Sequence, residues 1–285
     1  AAGQAAQPGN TAAGGRDPAF PKAELNAGVT SWITVNLVDP YYNVVAGPNP
    51  LISNPVMPEA RICTTDPYDG NAAGCTPDSN PNWNYGPENL VLSGGTTSFA
   101  MRMVSRSPAG WTVSAWDSGG QGTSYSSDTV SGVVVKSTNA IVMQLVMPGE
   151  TAVEGINNAT GKTGTPASPV TAGAAWGTAI TIRAADRYWN LDADVGGRSV
   201  NVGSNDPYAT AYANKNLSGG SASFTLFTPK RRAPYSPKYT GDVTIPSLQV
   251  YSRDLGAPPA LSTQNAAVNS VTAAAPQKLQ IILPG

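Results

Sequence analysis

The feature that most limits what this chain can fold into is an internal repeat. The segment LSGGTTSF runs from Leu92 to Phe99 and LSGGSASF from Leu217 to Phe224, each a Gly-Gly turn feeding an alternating strand. Other signposts keep the same order around this pair. Ala27-Gly28 matches Ala172-Gly173, and each leads into a period-2 run: Ile33, Val35, Leu37 in one half and Ile180, Ile182, Ala184 in the other. These runs end in DPYYN (Asp39 to Asn43) and DRYWN (Asp186 to Asn190), and TTDPY and SNDPY follow, with Asp66-Pro67-Tyr68 and Asp206-Pro207-Tyr208. Whatever fold one half adopts, the other is expected to adopt too.

More strands follow in both halves. Trp111, Val113 and Ala115 lead to Asp117, while Leu248 and Val250 lead to Asp254. Weaker runs lie near Val133 to Val135 and Val268 to Thr272. A closing strand is expected in each half: Ile141, Met143, Leu145 before Met147-Pro148-Gly149, and Leu279, Ile281, Leu283 before Pro284-Gly285. The pattern predicts an all-β chain of two tandem immunoglobulin-like β-sandwich domains, about seven strands each, over 27–149 and 172–285. At 285 residues the chain is too long for one sandwich of roughly 100. Residues 150–171, rich in Gly, Thr, Asn and Pro, read as a linker with a short edge strand, and residues 1–26 as a similar linker or edge segment. The chain is cut in phase with its own repeat, as a segment of a longer array would be.

Composition narrows the function. Charged residues are 12 % of the chain, against roughly a quarter in ordinary globular proteins, and the formal net charge is −1. No global field would draw it to nucleic acid. The apolar runs fall far short of the ~20 residues needed to span a bilayer. Histidine is absent, which removes the commonest general base and the Ser-His and Cys-His nucleophile pairs, so no enzyme is expected. The two cysteines, Cys63 and Cys75, lie in a stretch rich in Pro, Asn, Asp and Gly. They read as a local disulfide in an oxidising compartment, or otherwise as two unpaired thiols.

The signposts together resemble the bacterial immunoglobulin-like repeats found in tandem in large secreted and cell-surface proteins. The motifs that carry the likeness are Asp186/Asn190, Ser204-Asn205-Asp206, Leu217/Gly220/Phe224 and Leu283-Pro284-Gly285 in the second half. Asp39/Asn43, Leu92/Gly95/Phe99 and Met147-Pro148-Gly149-Glu150 carry it in the first. The resemblance implies a sandwich used as spacer, stalk or adhesive module, extracellular or at the cell surface, with no catalytic residues to carry over. Its partners would be neighbouring repeats or subunits of the same protein, and a polysaccharide or surface protein as a further ligand.

Two insertions depart from the repeat. The first carries Tyr68, Trp83 and Tyr85 beside the cysteines; its aromatics either stack on a ligand or cover one end of the sandwich. The second holds Lys230, Arg231 and Arg232 with Tyr235 and Tyr239, a grip for an acidic polysaccharide or a merely solvated loop. For calcium, Asp186, Asn190, Asp192 and Asp194, with Asp206, gather oxygen side chains, and Glu150 and Glu154 offer a linker site. Asx-turns explain the same residues without metal. Trp32, Trp111 and Trp176 are expected in core or inter-domain packing. The function expected is a structural or adhesive module of a surface stalk, filament or layer; the alternative is a carbohydrate-binding module of a secreted protein. A third reading is self-assembly by addition of a terminal segment to a neighbour's sheet edge, with residues 1–26 as donor.

Overall fold

The computed structural model describes residues 4–19, 22–46, 57–68, 71–72, 76–77, 89–117, 125–156, 158–176, 179–209, 212–225, 227–231, 247–268 and 270–281. Over these residues the chain is all-β apart from one 3-10 turn at Thr11–Ala13. It divides into two compact units, Ala1–Thr138 with Glu154–Ala159, and Asn139–Val153 with Thr160–Gly285.

In the first unit, β1 (Leu25–Asn26) and β2 (Ser31–Asn36) precede β3 (Glu59–Thr64). A two-residue pair, β4 (Asn71–Ala72) with β5 (Thr76–Pro77), leads to β6 (Asn89–Val91), β7 (Thr96–Met101), β8 (Ser107–Asp117) and β9 (Asp128–Lys136). One sheet has the order β1-β9-β8-β3-β6, with β1 parallel to β9; β2 and β7 form a separate antiparallel pair. Alternation directs Phe99 of β7 and Ala60 and Ile62 of β3 into one apolar cluster with Leu37 and Leu92, so both sheets share a core.

The second unit opens with β10 (Val142–Val146), then the hairpin of β11 (Glu150–Ala152) and β12 (Lys162–Gly164). There follow β13 (Val170–Thr171), β14 (Ile180–Ala185), β15 (Ser199–Ser204), β16 (Lys215–Asn216), β17 (Ser221–Phe224) and β18 (Leu248–Asp254). β19 (Ser262–Thr263), β20 (Asn265–Val268) and β21 (Val271–Thr272) complete it. The sheets are β17-β14-β10-β19 and β16-β15-β18-β20, with β13 parallel to β21. Met143, Leu145, Ile180, Ile182, Val200, Phe224, Leu248 and Val250 lie in one buried cluster.

The repeat extends to individual hydrogen bonds. Ile33 faces Phe99 in register, as Ile180 faces Phe224. Leu37 N–H donates to the Gly95 carbonyl and Ala184 N–H to that of Gly220. At both glycines φ is positive (+78° and +77°), and a Cβ would stand 2.2 and 2.3 Å from the carbonyl oxygens of Val45 and Asp192. Only glycine fits that crossing of chains. Gly28 N–H donates to the Met103 carbonyl and Gly173 N–H to the Pro229 carbonyl.

Three sequence-based boundaries change. Met143 and Leu145, expected to close the first domain at residue 149, instead open the second unit: β10 pairs antiparallel with β14, Leu145 opposite Ile182. Residues 150–171 are not a plain linker but hold the β11–β12 hairpin and β13. Residues 4–19 are held by their own unit as that hairpin is by the second. Ala6 bridges Arg16, Gln7 N–H donates to the Gly15 carbonyl, and Arg16 pairs with Asp128. Gly15 lies under the Tyr42 ring as Gly161 lies under Trp189. With Leu25–Asn26 committed to β9, this segment is not a loose donor.

Candidate functional site

The paired carboxylates are turn anchors. Asp186 Oδ1 accepts from the N–H groups of Tyr188 (2.8 Å) and Asn190 (3.0 Å), and Oδ2 accepts from Asn190 Nδ2 (3.0 Å). Asp39 makes the same three bonds to Tyr41 and Asn43 (2.8, 2.9, 2.9 Å), and hydrogen bonding from Asn43 holds its carboxyl below the ordinary value. Each turn places its aromatic, Tyr42 or Trp189, at positive φ, leaving the Asp and Asn to supply its hydrogen bonds.

Asp206 performs a different task. Its Oδ1 accepts from Tyr208 N–H (2.9 Å) and its Oδ2 from the N–H groups of Lys230 (2.7 Å) and Arg231 (2.9 Å). Asp66 does likewise for Tyr68, Val104 and Ser105, and burial, outweighing those bonds, pushes its carboxyl up. Asp192 accepts from Ala140 N–H and Asp194 N–H. Glu150 is paired with Lys162, and Glu154 lies 3.7 Å from Arg106. The calcium candidates are thus spread over separate turns, and among the described residues no three acidic, His or Cys side chains gather into a cation site.

The insertions are rooted by these carboxylates. Tyr68 and Lys230-Arg231 begin the two loops, tied by backbone N–H groups to Asp66 and Asp206. Cys63 is buried at the end of β3. Cys75, Trp83, Tyr85, Arg232, Tyr235 and Tyr239 lie outside the described residues. Trp176 is core, stacked on Phe227 at 5.5 Å, and Trp111 is half-buried with its Nε1 donating to the Ser105 carbonyl. Trp32 departs from expectation: it projects outward from β2 and is 72 % exposed. Within the second unit's aromatic cluster, the Trp176 Nε1 and Tyr212 hydroxyl are buried without a hydrogen-bond partner among the described residues, and burial pushes the Tyr212 phenol up to about 12.

The largest difference between the repeats is at the edge of β2. In the second unit β14 is covered on one edge by β17 and on the other by β10, and Ile180, Ile182, Ala184 and Ala185 are fully buried. Ser252 of β18 also donates to the Met143 carbonyl, closing β10 against the facing sheet. In the first unit β2 pairs with β7 alone, and among the described residues no strand lies on its other edge. Ile33 and Val35 are consequently only half-buried, as are Val113 and Ala115 of β8, and Val38, the counterpart of Ala185, is 37 % exposed. Among the described residues, Ile33 and Val35 of β2 and Val113 and Ala115 of β8, all packed on one apolar cluster, form a half-buried apolar trough at the place that β10 takes in the second unit.

The chain matches no family model and no curated protein.

Sequence reasoning missed the trough because it gave the run from Ile141 to Met147 to the first domain. The signal was present in the first half's count of alternating runs. If that strand belongs downstream, no described strand of the first repeat lies along the free edge of β2 over Ile33 and Val35.

Proposed function

We propose that this chain is a structural or adhesive extracellular module, a segment or subunit of a surface stalk, filament or layer, and that it is not an enzyme. The observation that carries the reading is that one module is used twice, down to its turn hydrogen bonds, with its buried carboxylates spent on holding backbone N–H groups. A carboxylate saturated by such donors is poorly placed for proton transfer or metal binding. The second unit follows the first in sequence without a separate connector, the first running to Thr138 with Glu154–Ala159 besides and the second starting at Asn139. Tandem modules of this kind act through reach and contact with neighbours. The likeness to bacterial immunoglobulin-like repeats supports the same reading.

Cys63 and Cys75 are the chain's two cysteines, and we assign them to one disulfide that staples the first insertion in an oxidising compartment. A mass two hydrogens lighter before reduction than after it would support the pairing; two alkylatable thiols in native material would exclude it. The exposed rings of Trp32 and Tyr41 favour a second reading, a carbohydrate-binding module, whose test is retention on an insoluble polysaccharide.

The main reading is tested by intact mass and electron microscopy of the protein from its native source under non-reducing conditions. A mass many times 29.2 kDa, or filaments and surface layers containing the chain, is the expected result. A discrete 29.2 kDa monomer that forms no assembly would overturn it.

A further inference from the structure

We propose that the apolar segment 277–281 of one molecule adds as a strand to the open edge of β2 in a second copy of this chain, joining copies head to tail. The inference rests on the structural-module reading and supplies its contact.

The second unit contains the template. β10 carries the run Met143, Gln144, Leu145 ahead of Met147-Pro148-Gly149, and segment 277–281 carries Leu279, Gln280, Ile281 ahead of Leu283-Pro284-Gly285. Glutamine stands three residues before the Pro-preceding apolar residue in both. On β14, Met143 lies opposite Ala184, Gln144 opposite Arg183 and Leu145 opposite Ile182, and all three side chains, two apolar and one amide, are buried. The repeat converts those positions of β14 to Leu37, Asn36 and Val35. Leu279 would therefore stand opposite Leu37, Gln280 opposite Asn36 and Ile281 opposite Val35, with Leu279 and Ile281 entering the trough beside Val113 and Ala115.

Among the described residues, donor and acceptor each lack a partner strand on this edge. Leu279 is 101 % and Ile281 86 % exposed, outside any strand, while Ile33 and Val35 lack the cover that Ile180 and Ile182 have. The seat for the glutamine is built as well. Gln144 Nε2 donates to the carbonyls of Thr160 (3.0 Å) and Gly161 (2.8 Å) in the β11–β12 hairpin. The equivalent carbonyls, Gly14 and Gly15, are already held beside Tyr42 by the bridge at Ala6 and Arg16. Strand addition supplies ladder hydrogen bonds as well as apolar burial. Because donor and acceptor are different surfaces, the contact is heterologous and propagates instead of closing as a dimer.

The test uses a synthetic peptide of residues 277–285, the full chain and a variant lacking 277–285. The truncated chain should be monomeric and should bind the peptide, raising the melting temperature of the first unit, whereas the full chain should form concentration-dependent oligomers. A peptide carrying Ile281→Asp should bind at least about tenfold more weakly, since it would bury a charge in the trough. A full chain carrying Asn36→Cys and Gln280→Cys should give a disulfide-linked ladder on oxidation; moving the second cysteine to Lys278 should abolish it. No peptide binding and no register-specific ladder would overturn the proposal, as would a native chain whose preceding residues already fill the trough and exclude the peptide. If the truncated chain still assembles, strand addition fails while the structural-module reading stands. If native material is also a lone monomer, both fail.

Discussion

Asp186 and Asp39 form the same turn in different surroundings. Asp186 is fully buried and Asp39 is not, because β10 and the residues leading into it cover the second turn, and no described strand covers the first. Asp186→Ala would remove the acceptor that two buried N–H groups and the Asn190 amide share, a loss of about 1–3 kcal/mol. Asp39→Ala should cost clearly less, since water can replace the carboxylate, and chemical denaturation of the two variants checks the difference. The close approach under the aromatics is equally sharp. A Cβ on Gly161 would lie 2.1 Å from Trp189 Cγ, so Gly161→Ala should destabilise the second unit by about 1–3 kcal/mol, read as a lower melting midpoint. Lys162 donates to the Leu145 carbonyl (2.7 Å) and to Glu150, which in turn accepts from Met147 N–H (2.8 Å). Lys162→Met strands a buried carboxylate at the end of β10 and should cost about 3–5 kcal/mol.

Among elements, β10 decides most. Leu145→Ala removes a fully buried side chain between two sheets and should cost the second unit about 2–5 kcal/mol. Ile281→Ala, at the matching position of the repeat, should change the stability of the isolated chain by less than about 0.5 kcal/mol, because Ile281 is exposed there. Calorimetry of the two variants measures the asymmetry. Most strands were legible in the sequence: alternation at Ile33, Val35 and Ile180, Ile182, and the Gly-Gly turns before Phe99 and Phe224, are local signals of period and turn chemistry. The sheet that the run from Ile141 to Met147 joins was not legible. An alternating strand specifies which face is apolar but not which edge receives it, and partner choice depends on chain segments far apart in sequence. The carboxylates misled for a related reason. Asp186 to Asp194 look like an oxygen cluster in one dimension, but turn geometry aims their oxygens at separate backbone donors.

For the whole molecule, the two units should respond differently to acid. Burial raises the Asp66 carboxyl in the first unit, so the folded form binds a proton more readily than the unfolded one. Its contribution to stability is present at low pH and lost as pH rises through the raised value. In the second unit burial pushes Asp254 up, but the Arg198 guanidinium (Nε to Oδ1, 2.8 Å) and the N–H groups of Leu261 and Gly256 together hold it below its usual 3.8. That contribution is present above the unfolded value and lost as pH falls through the lowered one. Asp39 of the first unit is also lowered but is less buried than Asp254, so between about pH 5 and pH 3 the second unit's melting transition should fall relative to the first, and Asp254→Asn should flatten the difference. Scanning calorimetry across that range checks both. The placement of β10 also bears on how such a chain can be rearranged. Its sequence period and its folding unit are out of step by one strand, so a recombination event that cuts at Pro148-Gly149 would hand a sheet to one descendant and its covering strand to another. A cut between Thr138 and Asn139 keeps them together, so a module exchanged there carries its own covering strand, with the first unit's short Glu154–Ala159 segment travelling alongside.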